Sequence, residues 1–169
     1  MECYGRLSRN LKGSAMPIKL RSVDAAEKAR LRGMLSAYLQ ELNQYGDVDL
    51  NYCFFDSYWT DRDRWAYFIE TEDGVAGFFL VNTWSPSGKG ADFALAECYL
   101  LPAFRGTGNG KNAFSRLLQS RPGVWELSVM SRNLPAKAFW QRTLATLCVG
   151  EVERIEFEDR LVYRFSAKP

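Results

Sequence analysis

Apolar and polar positions change period several times along this chain, and each change marks an element. Ile18–Val23 alternates like a short strand. Asp24 then offers an N-cap, with Glu27 three residues on completing a D-A-A-E capping box. Ala26, Leu31, Met34, Leu35, Tyr38, Leu39 and Leu42 follow at helical spacing up to a stop near Gly46. Asp47–Arg64 is aromatic, acidic and aperiodic, which predicts a loop with room for one short helix. Trp65–Thr71 and Val75–Thr83 are β-rich runs around Glu72-Asp73-Gly74, and Asp-Gly between two such runs predicts a hairpin. Phe93–Leu101 is extended and stops at Pro102. A helix is expected from about Gly108 to Gln119, a strand over Val124–Met130, a helix over Leu134–Leu147, and a closing hairpin from Glu151–Phe157 and Leu161–Phe165.

The succession βα, loop, βββ, α, β, α, ββ fixes a topology. Three consecutive strands predict antiparallel neighbours, and strand–helix–strand from Phe93 to Met130 predicts one parallel crossover. The expected fold is a mixed sheet covered by helices, in the α/β (α+β) class. At 169 residues one domain is expected over 16–169, after a flexible extension over 1–15, with translation starting at Met1 or at Met16.

Composition narrows the chemistry. The 22 Lys and Arg nearly balance 20 Asp and Glu, leaving +2, too little for a nucleic-acid partner to be expected. There is no histidine, so Ser-His-Asp and Cys-His mechanisms and His-ligated metal sites are excluded, and no metal is expected. Any general base must be a carboxylate, a shifted Lys or Cys, a Tyr, or an ordered water. The four cysteines, Cys3, Cys53, Cys98 and Cys148, are scattered, which predicts reduced thiols and a cytoplasmic location; Cys53 and Cys98 read as small hydrophobes. The longest apolar run, Val75–Val81, falls far short of the ~20 residues of a membrane span, so no membrane partner is expected.

The informative segment is Leu101-Pro-Ala-Phe-Arg105-Gly106-Thr107-Gly108-Asn109-Gly110-Lys111. Glycines let a backbone curl at positive φ and approach a ligand closely, and a helix N-terminus attracts phosphate. Arg105 and Lys111 would add charge-assisted contacts. A Walker A loop fails here, because Arg105 stands where Gly is needed and Asn112 where Ser or Thr is needed. A G-x-G-x-x-G dinucleotide fingerprint fails at Lys111. R-x-x-G-x-G, following a strand and opening a helix, fits with Arg105, Gly108 and Gly110.

That pattern, with Pro102 three residues ahead of Arg105, resembles motif A of the GNAT superfamily of acyl-CoA-dependent N-acetyltransferases. Asn133-Leu-Pro-Ala136-Lys-Ala-Phe139-Trp140 resembles the family's N-x-x-A-x-x-F-[YW] stretch, and the order of elements from Ile18 to Phe165 matches as well. The resemblance implies a mostly antiparallel sheet of six to seven strands, splayed at its centre. The acyl donor it implies is acetyl-CoA, held by Leu100, Leu101 and the loop Arg105–Lys111, including Thr107, Asn109 and the amides of Gly106, Gly108 and Gly110. Asn133 would face the pantetheine arm, with Phe139 and Trp140 packed beside it.

The implied reaction is attack by a small-molecule or peptide amine on the thioester, which requires a base. Glu97, alone in the apolar strand Ala94-Leu-Ala-Glu-Cys-Tyr-Leu, is the candidate, because a carboxylate there needs a partner or a cavity. Glu126 on the neighbouring strand is the reserve. Trp140 stands where the family often places an acidic tyrosine, so Tyr99, another tyrosine, or water would serve the leaving thiolate. Asp56, Tyr58 and Trp59 are the candidates for the acceptor side, where aromatics and acids suit a cation. A non-catalytic acyl-CoA-binding module is the alternative, and a homodimer is left open.

Overall fold

The structure, a computed structural model, describes residues 17–147 and 150–169. The expected extension, the alternative start at Met16, and Cys3 and Cys148 lie outside those residues.

Seven strands form one sheet: β1 Lys19–Ser22, β2 Trp65–Thr71, β3 Gly74–Asn82, β4 Phe93–Leu100, β5 Gly123–Met130, β6 Glu153–Glu156 and β7 Arg160–Ala167. They lie in the order β1-β2-β3-β4-β5-β7-β6, antiparallel except for the parallel β4–β5 pair. The expected mixed sheet with one parallel crossover is what forms. The β2–β3 hairpin turns where Asp-Gly predicted it, with Thr71 paired to Gly74 and the Asp73 amide donating to Thr71 Oγ1 over 3.1 Å.

Helices cover both faces. On one lies α1, Lys28–Leu42, whose Leu31, Leu35 and Leu39 recur every four residues and pack on Phe68, Phe78, Leu80 and Tyr99. Complete burial of such a leucine contributes about 1.5–3 kcal/mol. The four-residue α2, Ser57–Thr60, is the short helix allowed for in the aromatic loop. On the other face lie α3, Asn109–Ser120, and α4, Leu134–Leu147. Phe114 of α3 centres that core, with ring centroids 4.8 Å from Trp140 and 6.3 Å from Trp125.

The expected capping box does not form. Asp24 precedes a 3₁₀ turn, Ala25–Glu27, and makes no side-chain cap bond. The Glu27 carboxylate instead takes two bonds from the Arg21 guanidinium, at 2.6 and 3.0 Å, while Glu70 accepts from Arg21 Nε at 2.7 Å. A forked, charge-assisted pair outcompetes a single bond to a backbone amide.

Candidate active site

Two irregularities in β4 create the site. The pairing of β4 with β5 covers only Phe93–Leu95 against Trp125–Leu127, although both strands run on, to Leu100 and Met130. Beyond Leu95 the sheet therefore opens into a V whose facing edges keep backbone donors and acceptors free of each other. At the same place β4 carries a bulge: Leu80 faces Glu97 while Val81 faces Leu95, so Ala96 is an extra residue. A bulge bends its strand and re-aims side chains. Leu95 packs into the α3/α4 core, whereas Ala96 and Tyr99 pack on the α1 side.

The V is the floor of a cavity of about 1260 Å³, lined by Leu95–Leu100 from β4 and Leu127–Met130 from β5. The glycine turn closes one end. Gly106 and Gly108 sit at φ +81° and +83°, conformations that side-chain-bearing residues adopt at a cost. A Cβ at either position would meet nothing within 4 Å, so the space above the turn is open. The first helical bond of α3 runs from Asn112 N to Gly108 O at 3.0 Å, which leaves the amides of Asn109, Gly110 and Lys111 without a helical acceptor. Three free amides at a helix start, with Lys111 among the lining residues, form an anion cradle. Gly110 is glycine for another reason: it is helical, and its Cβ would lie 3.0 Å from the Phe139 ring. The buried Asn109 holds the turn by donating from Nδ2 to Phe104 O at 3.0 Å, while its buried Oδ1 has no partner among the described residues.

Glu97 lines the cavity between these features. Burial pushes its carboxyl up to about 7, against a smaller downward pull from the Tyr38 and Tyr52 hydroxyls. A carboxylate that titrates near neutrality suits proton abstraction at physiological pH. Next to it the Cys98 thiol is pushed up to about 12 by burial and by the Glu97 charge, so it stays protonated and poorly nucleophilic. Tyr99 is buried under α1 and raised by burial first and the Glu41 charge second; its hydroxyl donates to Glu41 Oε1 at 3.5 Å.

The other candidates divide. Leu100, Arg105, Gly106, Gly108, Gly110, Lys111, Asn133, Phe139 and Trp140 all line the cavity. Arg105 is partly committed: Nη2 donates to Glu41 at 3.1 and 3.2 Å and Nε to Leu100 O at 2.8 Å. Asn133 caps α4, its Oδ1 accepting from the Ala136 amide at 3.2 Å. Leu101, Thr107 and Asn109 lie outside the lining, Leu101 packing on the α1 side.

Four of the expected site residues, Asp56, Tyr58, Trp59 and Glu126, lie outside the cavity lining. Asp56 is exposed and pairs with Lys28 at 3.2 Å. Trp59 donates its indole N–H to Val23 O at 2.8 Å under the Lys28 ammonium. Tyr58 is a core residue. None of the three lines the cavity, because the loop after α1 folds its aromatics inward to cover apolar surface. Glu126 is fully buried on β5, accepting from Ser85 Oγ at 2.8 Å, Ser87 N at 3.1 Å, Ser87 Oγ and Arg164 Nη1 at 2.7 Å. Burial raises its carboxyl, but those donors outweigh it and the net shift is downward, so it is a structural anion and no reserve base. The residues that the sequence reading passed over are Tyr38, Tyr52 and Glu41. A tyrosine on an otherwise apolar helical stripe needs a partner for its hydroxyl, and that was the one available signal for Tyr38.

The protein-family comparison matches residues 27–145 to the acetyltransferase (GNAT) family model. Among curated proteins none matches. Solved structures with the same fold include an acetyltransferase from Thermus thermophilus, 16% identical at TM-score 0.68, covering 90% of this chain and 98% of that one. A PaiA N-acetyltransferase from Thermoplasma acidophilum, in complex with coenzyme A, is 10% identical at TM-score 0.62, covering 89% and 99%. The spermidine N-acetyltransferase of Vibrio cholerae, in complex with CoA and spermine, is 11% identical at TM-score 0.57, covering 88% and 94%.

Proposed function

The chain belongs to the acetyltransferase (GNAT) family, and from that premise we propose that it acetylates the nitrogen of a primary amine by direct attack on acetyl-CoA. The observation that carries this reading is Glu97: a carboxylate titrating near 7, aimed by a bulge into the V that the anion cradle closes. The residues fit the family's cosubstrate. The free amides of Asn109–Lys111 and the open space over Gly106 and Gly108 suit a diphosphate. The unpaired edges of β4 and β5 suit an extended, amide-bearing arm that pairs like an added strand. Acetyl-CoA supplies the activated acyl group.

This chain's own part is protonic and steric. Glu97, ionised above about pH 7, takes a proton from the incoming ammonium, directly or through one water, and exposes the nitrogen lone pair. Tyr99 lines the cavity and stays protonated, so in this reading its hydroxyl takes the donor role toward the leaving thiolate, with burial and the Glu41 charge making it a weaker acid than a free tyrosine. Trp140 packs edge-on to Phe114 at 4.8 Å and walls the cavity; its indole N–H is no acid near neutrality.

The test is turnover of acetyl-CoA with a panel of polyamines, amino acids and peptides bearing free N-termini or lysines, read as thiol release and by mass of the product. Acetylated nitrogen on one class supports the proposal. Tight coenzyme binding with no turnover across the panel would favour the binding-module reading that Trp140 raises.

A further inference from the structure

The last turn of α1 breaks a local rule. A carboxylate there meets the negative end of the helix dipole, yet Glu41 occupies it with no basic residue in the same turn. Its compensation comes from outside the helix. Arg105 Nη2 donates to Glu41 Oε2 at 3.1 Å and to Oε1 at 3.2 Å. The same guanidinium donates from Nε to Leu100 O at 2.8 Å and lies 5.3 Å over the Tyr99 ring. The Arg105 amide donates to Pro102 O at 3.2 Å, closing the 3₁₀ turn Pro102–Phe104. These bonds anchor the entry of the glycine turn to the end of β4. On the far side of Gly106–Gly108, Asn109 Nδ2 anchors the exit to Phe104 O. The glycines therefore span two fixed points. Beyond Glu41 the chain keeps to the cavity: Gln44–Val48 line it, and a Cβ at Gly46 would lie 2.9 Å from Met130 Cε, at the last residue of β5. The end of α1 thus touches both arms of the V, Arg105 just past β4 and Met130 on β5.

We propose that Arg105 is a positioning residue, a bracket for the coenzyme turn and not a ligand of the phosphates. With Glu41 it locks the entry of the turn to the end of α1, so that the cradle and the α1 wall of the cavity keep one spacing. The proposal rests on the glycine turn being the cradle of the coenzyme's diphosphate, as the proposed function has it. A guanidinium grips a phosphate best through two parallel N–H bonds. Here Nε and Nη2 are taken by Leu100 and Glu41, and Nη1 alone has no acceptor among the described residues. The diphosphate is left to the free amides of Asn109–Lys111 and to the Lys111 side chain. Glu41 and Arg105 are each 43% exposed, so their ion pair alone accounts for a factor of about five at most. Loss of the Arg105 side chain removes the Leu100 anchor as well, and costs more.

The experiment is a calorimetric titration of the full chain with coenzyme A, run well below the melting temperature of each protein. The proteins are wild type, Arg105→Lys, Arg105→Gln, Glu41→Gln and the double variant Arg105→Gln/Glu41→Gln. Arg105→Lys keeps the charge but loses the planar fork that joins Leu100 to Glu41. A bracket predicts that Arg105→Lys and Arg105→Gln weaken coenzyme A alike, by about tenfold. Glu41→Gln should weaken it by about threefold to fivefold, and the double variant should be no weaker than Arg105→Gln. Affinity kept in Arg105→Lys but lost in Arg105→Gln makes the charge on the phosphates the role of Arg105 and overturns the proposal. Unchanged or tighter binding in Glu41→Gln overturns it too, as do additive losses in the double variant. Should an Arg105 variant fail to fold, Glu41→Gln, a change on an open helix surface, still decides. Coenzyme binding by wild type with Glu41→Gln unaltered sinks the bracket and spares the cradle, whereas no binding by wild type sinks the cradle itself.

Discussion

Glu97 and Glu126 pose the same problem to anyone reading the chain: a single carboxylate inside an apolar strand. Their fates differ because of what folds over them. Ser85, Ser87 and Arg164 satisfy Glu126 and hold its carboxyl below the ordinary range. Glu97 meets two tyrosines and a cavity, and burial wins. The donors lie far along the chain from each carboxylate, so no local pattern separates the base from the buttress. Two consequences follow for Glu97. Glu97→Gln should lower kcat by about 10²–10⁴-fold with coenzyme affinity unchanged, measured by steady-state kinetics and calorimetry. The wild-type kcat/KM should fall as pH drops below about 7. The stability effect has the opposite sign. The folded carboxyl titrates above its unfolded value, so between about 4.5 and 7 the native state binds more protons, and stability declines as pH rises through that window. In Glu97→Gln the decline should flatten, and the melting temperature at pH 8 should exceed that of wild type.

At the scale of elements, the glycine turn was legible because its chemistry is local. Positive φ at Gly106 and Gly108, and a helix starting at Asn109, need only neighbours in sequence. The bulge at Ala96 was not, since Ala94-Leu-Ala-Glu-Cys-Tyr reads as one apolar run interrupted only by Glu97, and the extra residue is defined by register against β3. The capping box failed likewise, to an arginine on a neighbouring strand. The two glycine roles separate by substitution. Gly108→Val places a β-branched residue at φ +83°, which costs roughly 1–3 kcal/mol and puts a side chain over the cradle. It should lower the melting temperature and weaken coenzyme A binding more than tenfold. Gly110→Ala keeps helical φ, so stability should change by less than about 1 kcal/mol. Its Cβ presses on Phe139 from 3.0 Å, and coenzyme affinity should fall while the melting temperature holds. Paired thermal-shift and calorimetric titrations distinguish the two. Equal losses of stability would contradict the assignment.

As a whole the molecule is two half-sheets, β1–β4 and β5–β7–β6, joined by three residue pairs at the apex of the V. So short a seam needs clamps, and they sit at the apex. Asp92 and Val124 exchange bonds, with Asp92 N to Val124 O at 2.9 Å and Val124 N to Asp92 Oδ2 at 2.7 Å. Glu126 ties the turn between β3 and β4 to Arg164 on β7, which also donates to Gly90 O. This places the Glu126 cluster in the job of holding the V at a fixed opening while remaining outside the cavity. Glu126→Ala removes a fully buried charge and strands its partners. With Arg164 partly open to water, the cost should be about 3 kcal/mol, or roughly 10 °C in melting temperature for a chain of this length. Glu126→Gln keeps an acceptor and should lose less. If the apex sets the width of the V, KM for acetyl-CoA should rise several-fold in Glu126→Ala, while the acid limb of kcat/KM stays where Glu97 puts it. A melting temperature that falls with KM unmoved would mean that the helices alone fix the opening. A shifted acid limb would mean that the clamp reaches the base.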